Sequence, residues 1–245
     1  MGLTSAALEM KPGIAVVKVT DSKSLKIAIG EASVSALLTK PSSARACYVF
    51  AHGAGAGMIH AFMANVAGGL SERGIATLRY QFPYMEKGGK RPDPPAVAHA
   101  AVRAAVAEAT RACPGLPLIA GGKSFGGRMT SQAQAKQPLP GVRALAFFGF
   151  PLHATGKPSS ERAAHLADIQ IPMLFLQGTN DKLAELSLLK PVVKGLGARA
   201  TLHLVDGADH SFHVPARSGR KDAEVMVELL DTFANWVDAV AAAHG

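Results

Sequence analysis

A serine flanked by glycines is the residue of this chain best suited to do chemistry. It lies in the motif GKSFG at 122–126, directly after the apolar run 116–120 and before a stretch that is compatible with a helix. A serine on such a tight strand-to-helix turn needs small neighbours two residues before and after it, and Gly122 and Gly126 meet this need. The turn exposes the hydroxyl above the sheet and aims free N–H groups of the helix at developing negative charge. We therefore predict that Ser124 is a nucleophile.

The same glycines could belong to a nucleotide-binding loop, but their spacing argues against it. A phosphate-binding loop that ends in GKS at 122–124 requires glycine at position 117, where the chain has Pro117. In HGAGAG at 52–57, the third glycine of a dinucleotide fingerprint would fall at position 58, which is Met58. We expect no organic cofactor, and no His or Cys spacing predicts a metal site.

A serine hydroxyl is protonated at neutral pH, so it needs a base, and the base needs an acid to orient it. Asp181 follows the strand-like run 173–176, and His210 follows the run 200–205. If these strands are parallel, both residues lie at the same edge of the sheet as Ser124. We predict that His210 is the general base and that Asp181 orients it, in the chain order of a nucleophile-elbow hydrolase.

Each of these two assignments has an alternative. Asp181 could simply cap a helix that begins near Lys182. The chosen histidine has a rival in His213, and Asp206 and Asp209 are nearer to it in the sequence than Asp181 is. We keep Asp181, because the side chain of an aspartate directly adjacent to the histidine points elsewhere on the loop.

An oxyanion hole needs two backbone donors near the nucleophile. One should be the N–H of Phe125, the residue after the serine, and the other should come from the loop after the strand-like run 47–51. That loop begins HGAG at 52–55, where glycines let the backbone approach closely. We nominate the N–H of Ala54 as the second donor.

The elements that must position these residues follow from the hydrophobic pattern. Short, continuously apolar runs predict strands that are buried on both faces, as in a parallel sheet between two helical layers. They occur at 47–51, 75–80, 116–120, 144–149, 173–176 and 200–205. Before them, 14–19 and 25–38 predict an antiparallel entry to the sheet around a turn at Asp21-Ser22.

Helical patterns alternate with these strands. They occur at 60–72, 96–112, 125–136, 182–194 and 221–243, and Asp93 is a candidate cap for the second. We predict one α/β domain over residues 1–245, with a mostly parallel sheet of about eight strands and helices on both faces. The antiparallel strands occupy about 13–38 and the catalytic core about 46–245.

Two irregular segments, 81–95 and 151–168, follow strands at their carboxyl ends and should rim the site. Tyr84 and Met85 in the first segment are expected to line the cleft. The second segment is too short for a large helical cap. An open cleft should favour short acyl chains, or bulky and even polymeric esters.

The composition excludes several classes of protein. The 26 Lys+Arg against 18 Asp+Glu make the chain basic, but the clusters are weak and carry no interleaved aromatic residues, so we expect no nucleic-acid partner. No apolar run reaches the roughly 18 residues of a membrane span. The first residues do not resemble a secretory signal, and Cys47 and Cys113 suit reduced thiols, so we expect a cytoplasmic protein. We expect it to be a monomer or a homodimer.

In combination, these motifs resemble the α/β-hydrolase superfamily. HGAGAG, GGKSFGG, GTND and GADHSF stand in the expected order over about 200 residues from Cys47 to the C-terminus. More narrowly, the chain resembles small uncapped members, the bacterial dienelactone-hydrolase-like proteins. Through RYQFPYMEKGGKRPDPP and GGKSFGGR, it is also similar to the hydrolase-like domain of a testis-expressed animal protein and of a histone-acetyltransferase-complex subunit.

The resemblance implies a serine hydrolase of carboxylic esters, with Ser124 as nucleophile, His210 as base and Asp181 as its orienter. Dienelactone hydrolases proper have a cysteine nucleophile, so their own reaction is not implied. Two alternatives remain open. The same residues would serve a thioesterase or a peptidase, and the animal relatives suggest a scaffold of this fold without catalytic activity.

Overall fold

The computed structural model describes residues 22–242, which form an eight-stranded sheet between helices. The strands are β1 (Ser22–Ile29), β2 (Ala32–Thr39), β3 (Ala46–Ala51), β4 (Ile75–Tyr80), β5 (Leu118–Lys123), β6 (Val142–Phe148), β7 (Met173–Gly178) and β8 (Ala200–Val205). Their order across the sheet is β1-β2-β4-β3-β5-β6-β7-β8, and every neighbouring pair from β4 to β8 is parallel. The predicted α/β architecture with a mostly parallel sheet of about eight strands is confirmed.

Helices cover both faces of the sheet, because the strands alternate apolar side chains between two cores. Within residues 22–242 the α-helices are α1 (Ala61–Glu72), α2 (Pro83–Glu86), α3 (Pro95–Ala112), α4 (Phe125–Lys136), α5 (Leu186–Leu196) and α6 (Asp222–Ala242). Phe148 belongs to the core layer that contains α1 and α6, and its neighbour Phe147 belongs to the layer that contains α3, α4 and α5. None of these helices has the length and apolar character needed to cross a membrane.

The entry to the sheet is antiparallel, as predicted, but its turn lies elsewhere. β1 and β2 pair from Ser22–Thr39 to Ile29–Ala32, so the chain reverses at Gly30-Glu31. Gly30 adopts φ +59°, which a glycine tolerates without a steric penalty. The prediction of a turn at Asp21-Ser22 is wrong for Ser22, which is the first residue of β1. Asp21 and the predicted segment 14–19 lie outside the described residues.

α5 begins four residues later than the predicted segment 182–194. The chain first makes a turn in which the carboxylate of Asp181 accepts a hydrogen bond from the N–H of Leu183, at 2.8 Å. The helix then starts at Leu186. Asp181 is therefore not the cap of this helix, which leaves its second oxygen for another partner.

The segments 81–95 and 151–168 contain only short helices, α2 and a 3₁₀ helix at Glu161–Asp168, and form no large cap. Asp93, the candidate cap of α3, does not cap it. The N-cap residue is Pro94, and the Asp93 carboxylate instead accepts a hydrogen bond from the N–H of Tyr84 at 2.8 Å. That bond links the two ends of the 81–95 segment.

The two cysteines are buried free thiols in the same core layer. Cys47 lies in β3, and Cys113 follows the last residue of α3.

Candidate active site

Ser124 lies on a sharp turn between β5 and α4, and its backbone is strained. Its φ of +51° and ψ of −116° are unfavourable for a residue with a side chain. Two hydrogen bonds hold the turn. The Ser124 N–H donates to the Phe148 carbonyl at 3.1 Å, and the Ser124 carbonyl accepts from the Arg128 N–H at 3.1 Å. Strain of this kind costs on the order of 1–3 kcal/mol and persists only where its surroundings enforce it.

The elbow fits against β3 only because position 126 has no side chain. A Cβ on Gly126 would lie 2.5 Å from the carbonyl oxygens of both Ala51 and His52. Ala51 ends β3, and His52 begins the glycine-rich loop. The first turn of α4 therefore packs directly on the backbone that leads to the nominated oxyanion loop.

The structure brings the three side chains nominated from the sequence into one line. His210 Nε2 lies 2.8 Å from Ser124 Oγ, and His210 Nδ1 lies 2.7 Å from Asp181 Oδ2. Because a carboxylate only accepts hydrogen bonds, Nδ1 carries the proton and Nε2 is free to accept the serine proton. The Asp181 carboxylate is fully buried, whereas the imidazole is 24% exposed. This arrangement can move a proton from the serine to the histidine as the hydroxyl attacks a carbonyl.

Gln177 fixes the carboxylate of Asp181, and the sequence reasoning missed it. Its Nε2 donates to Asp181 Oδ2, and its Oε1 accepts from the Phe150 N–H at 2.9 Å. The N–H of Leu183 holds the other carboxylate oxygen. The signal available in the sequence was a polar residue directly after the apolar run 173–176, and the structure shows this residue fully buried near the end of β7.

The rival residues have other partners. Asp209 Oδ1 accepts from the N–H of His213 at 3.0 Å, within its own loop. His213 Nδ1 lies 2.8 Å from Asp222, and Asp206 accepts from the hydroxyl of Thr179 at 3.2 Å. Proximity in sequence was thus no guide to the acid, because each nearer aspartate is engaged elsewhere, Asp209 within its own loop and Asp206 by the loop after β7.

The nominated oxyanion donors belong to two segments that meet at the serine. Phe125 is the first residue of α4, so its N–H has no partner within the helix. A Cβ on Gly53 would lie 3.9 Å from Ser124 Cβ, so the loop after β3 passes close beside the serine. Ala54 lines the cavities on both sides of the serine. The Ala54 and Phe125 N–H groups can therefore flank one position in front of the hydroxyl.

Two buried side chains hold the peptide planes on either side of Ala54. His52 Nε2 accepts from the N–H of Phe82 at 3.0 Å, so Nδ1 carries the proton and donates to the Gly53 carbonyl at 2.8 Å. Burial lowers the pKa of His52, which favours this neutral form. The Tyr84 hydroxyl donates to the Ala54 carbonyl at 2.8 Å. The N–H of Ala54 is thereby oriented from both sides.

Tyr84 and Met85, expected to line the cleft, do not line either cavity beside the serine. Tyr84 is only 5% exposed, and burial raises its pKa to about 12, so its hydroxyl remains a hydrogen-bond donor. Met85 is half-buried and packs against the core. The expectation was wrong because α2 turns both side chains inward, where Tyr84 supports the oxyanion loop.

Two cavities meet at the serine. The first, of about 380 Å³, is lined by residues that include His60, Phe62 and His210. The second, of about 480 Å³, is lined by residues that include Phe125 and Arg128. Ala54, Ser124 and Leu183 border both. The two cavities offer one space for each arm of a substrate whose central carbonyl lies at the serine.

Lys123, next to the serine, supports the histidine loop. Its ammonium donates to the His210 carbonyl and lies 5.2 Å from the ring centre of Phe212 and 5.7 Å from that of Phe62. Burial lowers the pKa of Lys123 to about 8. Among residues 22–242, no group of three or more His, Cys, Asp or Glu side chains could hold a metal ion.

Comparisons with known proteins agree with this architecture. The model of a family described as an alpha/beta hydrolase domain matches residues 44–238. A dienelactone hydrolase from Anabaena variabilis is similar in structure, with a TM-score of 0.72 at 20% identity over 88% of this chain and 96% of that one.

Two further solved structures are comparably similar. A lidless α/β serine hydrolase from Xanthomonas campestris has a TM-score of 0.69 at 19% identity, over 89% of this chain and 95% of that one. The esterase domain of a Rhodothermus marinus protein has a TM-score of 0.66 at 15% identity, over 88% and 97%. At these identities, the likeness establishes the fold.

Proposed function

The chain belongs to the alpha/beta hydrolase domain family, and from this premise we propose that it is a serine hydrolase that cleaves carboxylic esters through an acyl-enzyme. One observation carries the proposal. A line of hydrogen bonds joins the buried carboxylate of Asp181, the imidazole of His210 and the hydroxyl of Ser124. The known esterases and lidless serine hydrolases of similar fold support an ester substrate.

In this mechanism, Ser124 Oγ attacks the ester carbonyl while His210 Nε2 takes the hydroxyl proton. Asp181 stabilises the imidazolium that forms. The same imidazolium then gives its proton to the departing alkoxide, which leaves as an alcohol. A water molecule, deprotonated by His210, hydrolyses the acyl-serine and regenerates the enzyme.

The N–H groups of Ala54 and Phe125 receive the oxyanion of the tetrahedral intermediate. Removal of one such donor typically costs about 3–4 kcal/mol of transition-state stabilisation. The hydrogen bonds from His52 and Tyr84 to the adjacent carbonyls hold one of the two donors before substrate arrives. This preorganisation favours catalysis, because the dipoles need not reorient during the reaction.

The Ser124→Ala variant tests the proposal. We expect wild-type protein to hydrolyse p-nitrophenyl acetate or butyrate and to be labelled by a fluorophosphonate probe. Ser124→Ala should lower kcat/KM by about a thousandfold or more and abolish labelling. Ser42→Ala, at an exposed serine in a turn, is the matched control and should change neither.

Unchanged turnover in Ser124→Ala would remove this residue from the mechanism. Absence of labelling in the wild-type protein would instead favour a scaffold without catalytic activity. Acyl-CoA and peptide substrates in the same assay distinguish an esterase from a thioesterase or a peptidase, and faster cleavage of either would contradict the ester assignment.

The open cleft should favour short acyl chains or bulky, even polymeric, esters over long lipids. Cavities of about 380 and 480 Å³ flank the serine, and the segment 151–168 adds no large cap that would cover a long chain. A panel of p-nitrophenyl esters from acetate to palmitate measures this preference. A palmitate optimum would contradict it.

A further inference from the structure

The second cavity beside Ser124 carries two arginines that have no acidic partner. Arg128 lies one turn along α4 from the serine, and Arg162 lies in the 3₁₀ helix at Glu161–Asp168. Within residues 22–242, neither guanidinium forms a salt bridge or a side-chain hydrogen bond. Arg128 makes only a cation–π contact, 5.9 Å from the ring centre of Phe125.

Several other arginines of residues 22–242 have an acidic partner. Arg45 pairs with Asp238 at 2.6 Å, and Arg73 pairs with Asp231 at 2.7 Å, both at the surface. Arg128 is half-buried, and its Nε, like that of Arg79, is buried without a hydrogen-bond partner. A buried donor without a partner costs about 1–3 kcal/mol, and more when it is charged. An anion that accepts a hydrogen bond from this guanidinium would remove that cost.

The two arginines also oppose each other electrostatically. Burial, and then the positive charge of Arg162, lower the pKa of Arg128. Two like charges at the wall of one cavity raise the local concentration of anions, and a guanidinium binds carboxylate or phosphate oxygens through paired hydrogen bonds.

The acidic groups around this cavity do not neutralise the pair. Asp93 lines the cavity, but its Oδ2 accepts from the N–H of Tyr84, and it forms no salt bridge with either arginine. Glu185 lies 2.5 Å from Nε2 of His153, another lining residue. The lining of the cavity therefore includes two guanidinium groups and one carboxylate, so positive charge is in excess.

The position of His210 indicates which arm of the substrate occupies this cavity. His210 lines the first cavity and not the second. Because the imidazolium must protonate the departing alkoxide, the alcohol arm extends on its side, into the first cavity. The acyl arm then extends from the serine into the second cavity, toward Arg128 and Arg162.

We propose that the acyl arm of the natural substrate ends in an anionic group, a carboxylate or a phosphate, which Arg128 and Arg162 bind in the second cavity. This inference rests on the proposed esterase function and narrows its substrate class. Arg128 and Arg162 are assigned as specificity residues that select the anionic acyl group, while the chemistry stays with Ser124.

The test compares two acyl groups of nearly equal length that differ in charge. Mono-p-nitrophenyl adipate carries a terminal carboxylate, and p-nitrophenyl methyl adipate has the same chain capped as a neutral ester. We expect wild-type protein to show a kcat/KM at least about tenfold higher for the charged substrate. An analogue ending in a phosphonate distinguishes a phosphate ligand from a carboxylate.

The variants Arg128→Gln and Arg162→Gln keep polar side chains and remove the charges. Each should lower kcat/KM for the charged substrate about ten- to hundredfold, as expected for a lost hydrogen bond to a charged group, and should change the capped substrate less than about twofold. Arg143→Gln is the matched control, because Arg143 is exposed on β6 and lines neither cavity.

Equal rates for the two adipates, or equal losses on both in the arginine variants, would overturn the inference while leaving Ser124-dependent hydrolysis intact. Calorimetry of adipate binding to Ser124→Ala separates the two proposals further. Binding that weakens at least tenfold when Arg128→Gln is added supports the anion site even if no ester is cleaved. If the wild-type protein hydrolyses acetate esters but adipate does not bind to Ser124→Ala, the anion site is refuted and the esterase proposal is not.

Discussion

Gly126→Ala is the perturbation whose consequence the structure defines most sharply. The added Cβ would lie 2.5 Å from the carbonyl oxygens of Ala51 and His52, roughly 1 Å closer than ordinary van der Waals contact. Both carbonyls belong to main chain, so no side chain can rotate away. The elbow and the end of β3 must separate, at a cost of about 1–3 kcal/mol in the free energy of unfolding.

That separation moves the proposed nucleophile away from one of the two proposed oxyanion donors. Ser124 and Phe125 belong to the elbow, whereas Ala54 follows β3 through the displaced residues. A misplacement of about 1 Å can lower the rate about a hundredfold. We therefore expect Gly126→Ala to reduce kcat for p-nitrophenyl butyrate by about that factor, with a smaller change in KM.

The assay pairs chemical denaturation with steady-state kinetics. Gly195→Ala is the matched control, because its Cβ would meet no atom within 4 Å near the end of α5. Alanine is the better helix former, so this variant should keep full activity and equal or exceed wild-type stability by up to about 1 kcal/mol. If Gly126→Ala kept both the stability and the kcat of the wild type, the inferred contact between elbow and oxyanion loop would be refuted.

Two further predictions concern the supports of the site. His52→Phe removes the hydrogen bond to the Gly53 carbonyl. The kcat for p-nitrophenyl butyrate should therefore fall about ten- to a hundredfold, with KM little changed. A change in KM alone would contradict this role of His52. Lys123 has a folded-state pKa of about 8, below that of a free lysine, so burial penalises its charged form. The free energy of unfolding of the wild type should therefore rise relative to that of Lys123→Met between about pH 8 and pH 10.5, by up to about 3 kcal/mol. Chemical denaturation at several pH values measures this difference. A difference that does not change with pH would refute the burial of this charge.

Much of the fold could be predicted because its signals are local. The strands at 75–80 and 200–205 have the predicted limits. The first is buried on both faces and is a short apolar run between polar segments, whereas the second lies at the edge of the sheet and is mostly half-buried. The turn at Gly30-Glu31 was missed, because the alternating pattern continues through it and the glycine was read as part of a strand.

The partners within the site were harder to predict. Ser124 could be nominated from the spacing of its glycines, because the turn is made by consecutive residues. Asp181 rather than Asp206 or Asp209 contacts His210 because of how the loops after β7 and β8 pack together. The pairing of His213 with Asp222 likewise depends on the docking of α6. These are contacts between segments that sequence distance does not report.

The sequence by itself determined the alternation of strands and helices, the strained serine turn and the sheet edge at which the reactive groups had to emerge, because backbone sterics and hydrophobic periodicity act over a few residues. Only the tertiary structure decided that Gln177 holds the orienting carboxylate, that Tyr84 turns inward to the oxyanion loop, and that two arginines share a cavity with the nucleophile. Those arrangements depend on the direction in which each side chain leaves its element after the layers have packed, and that direction follows from the close-packed interior as a whole.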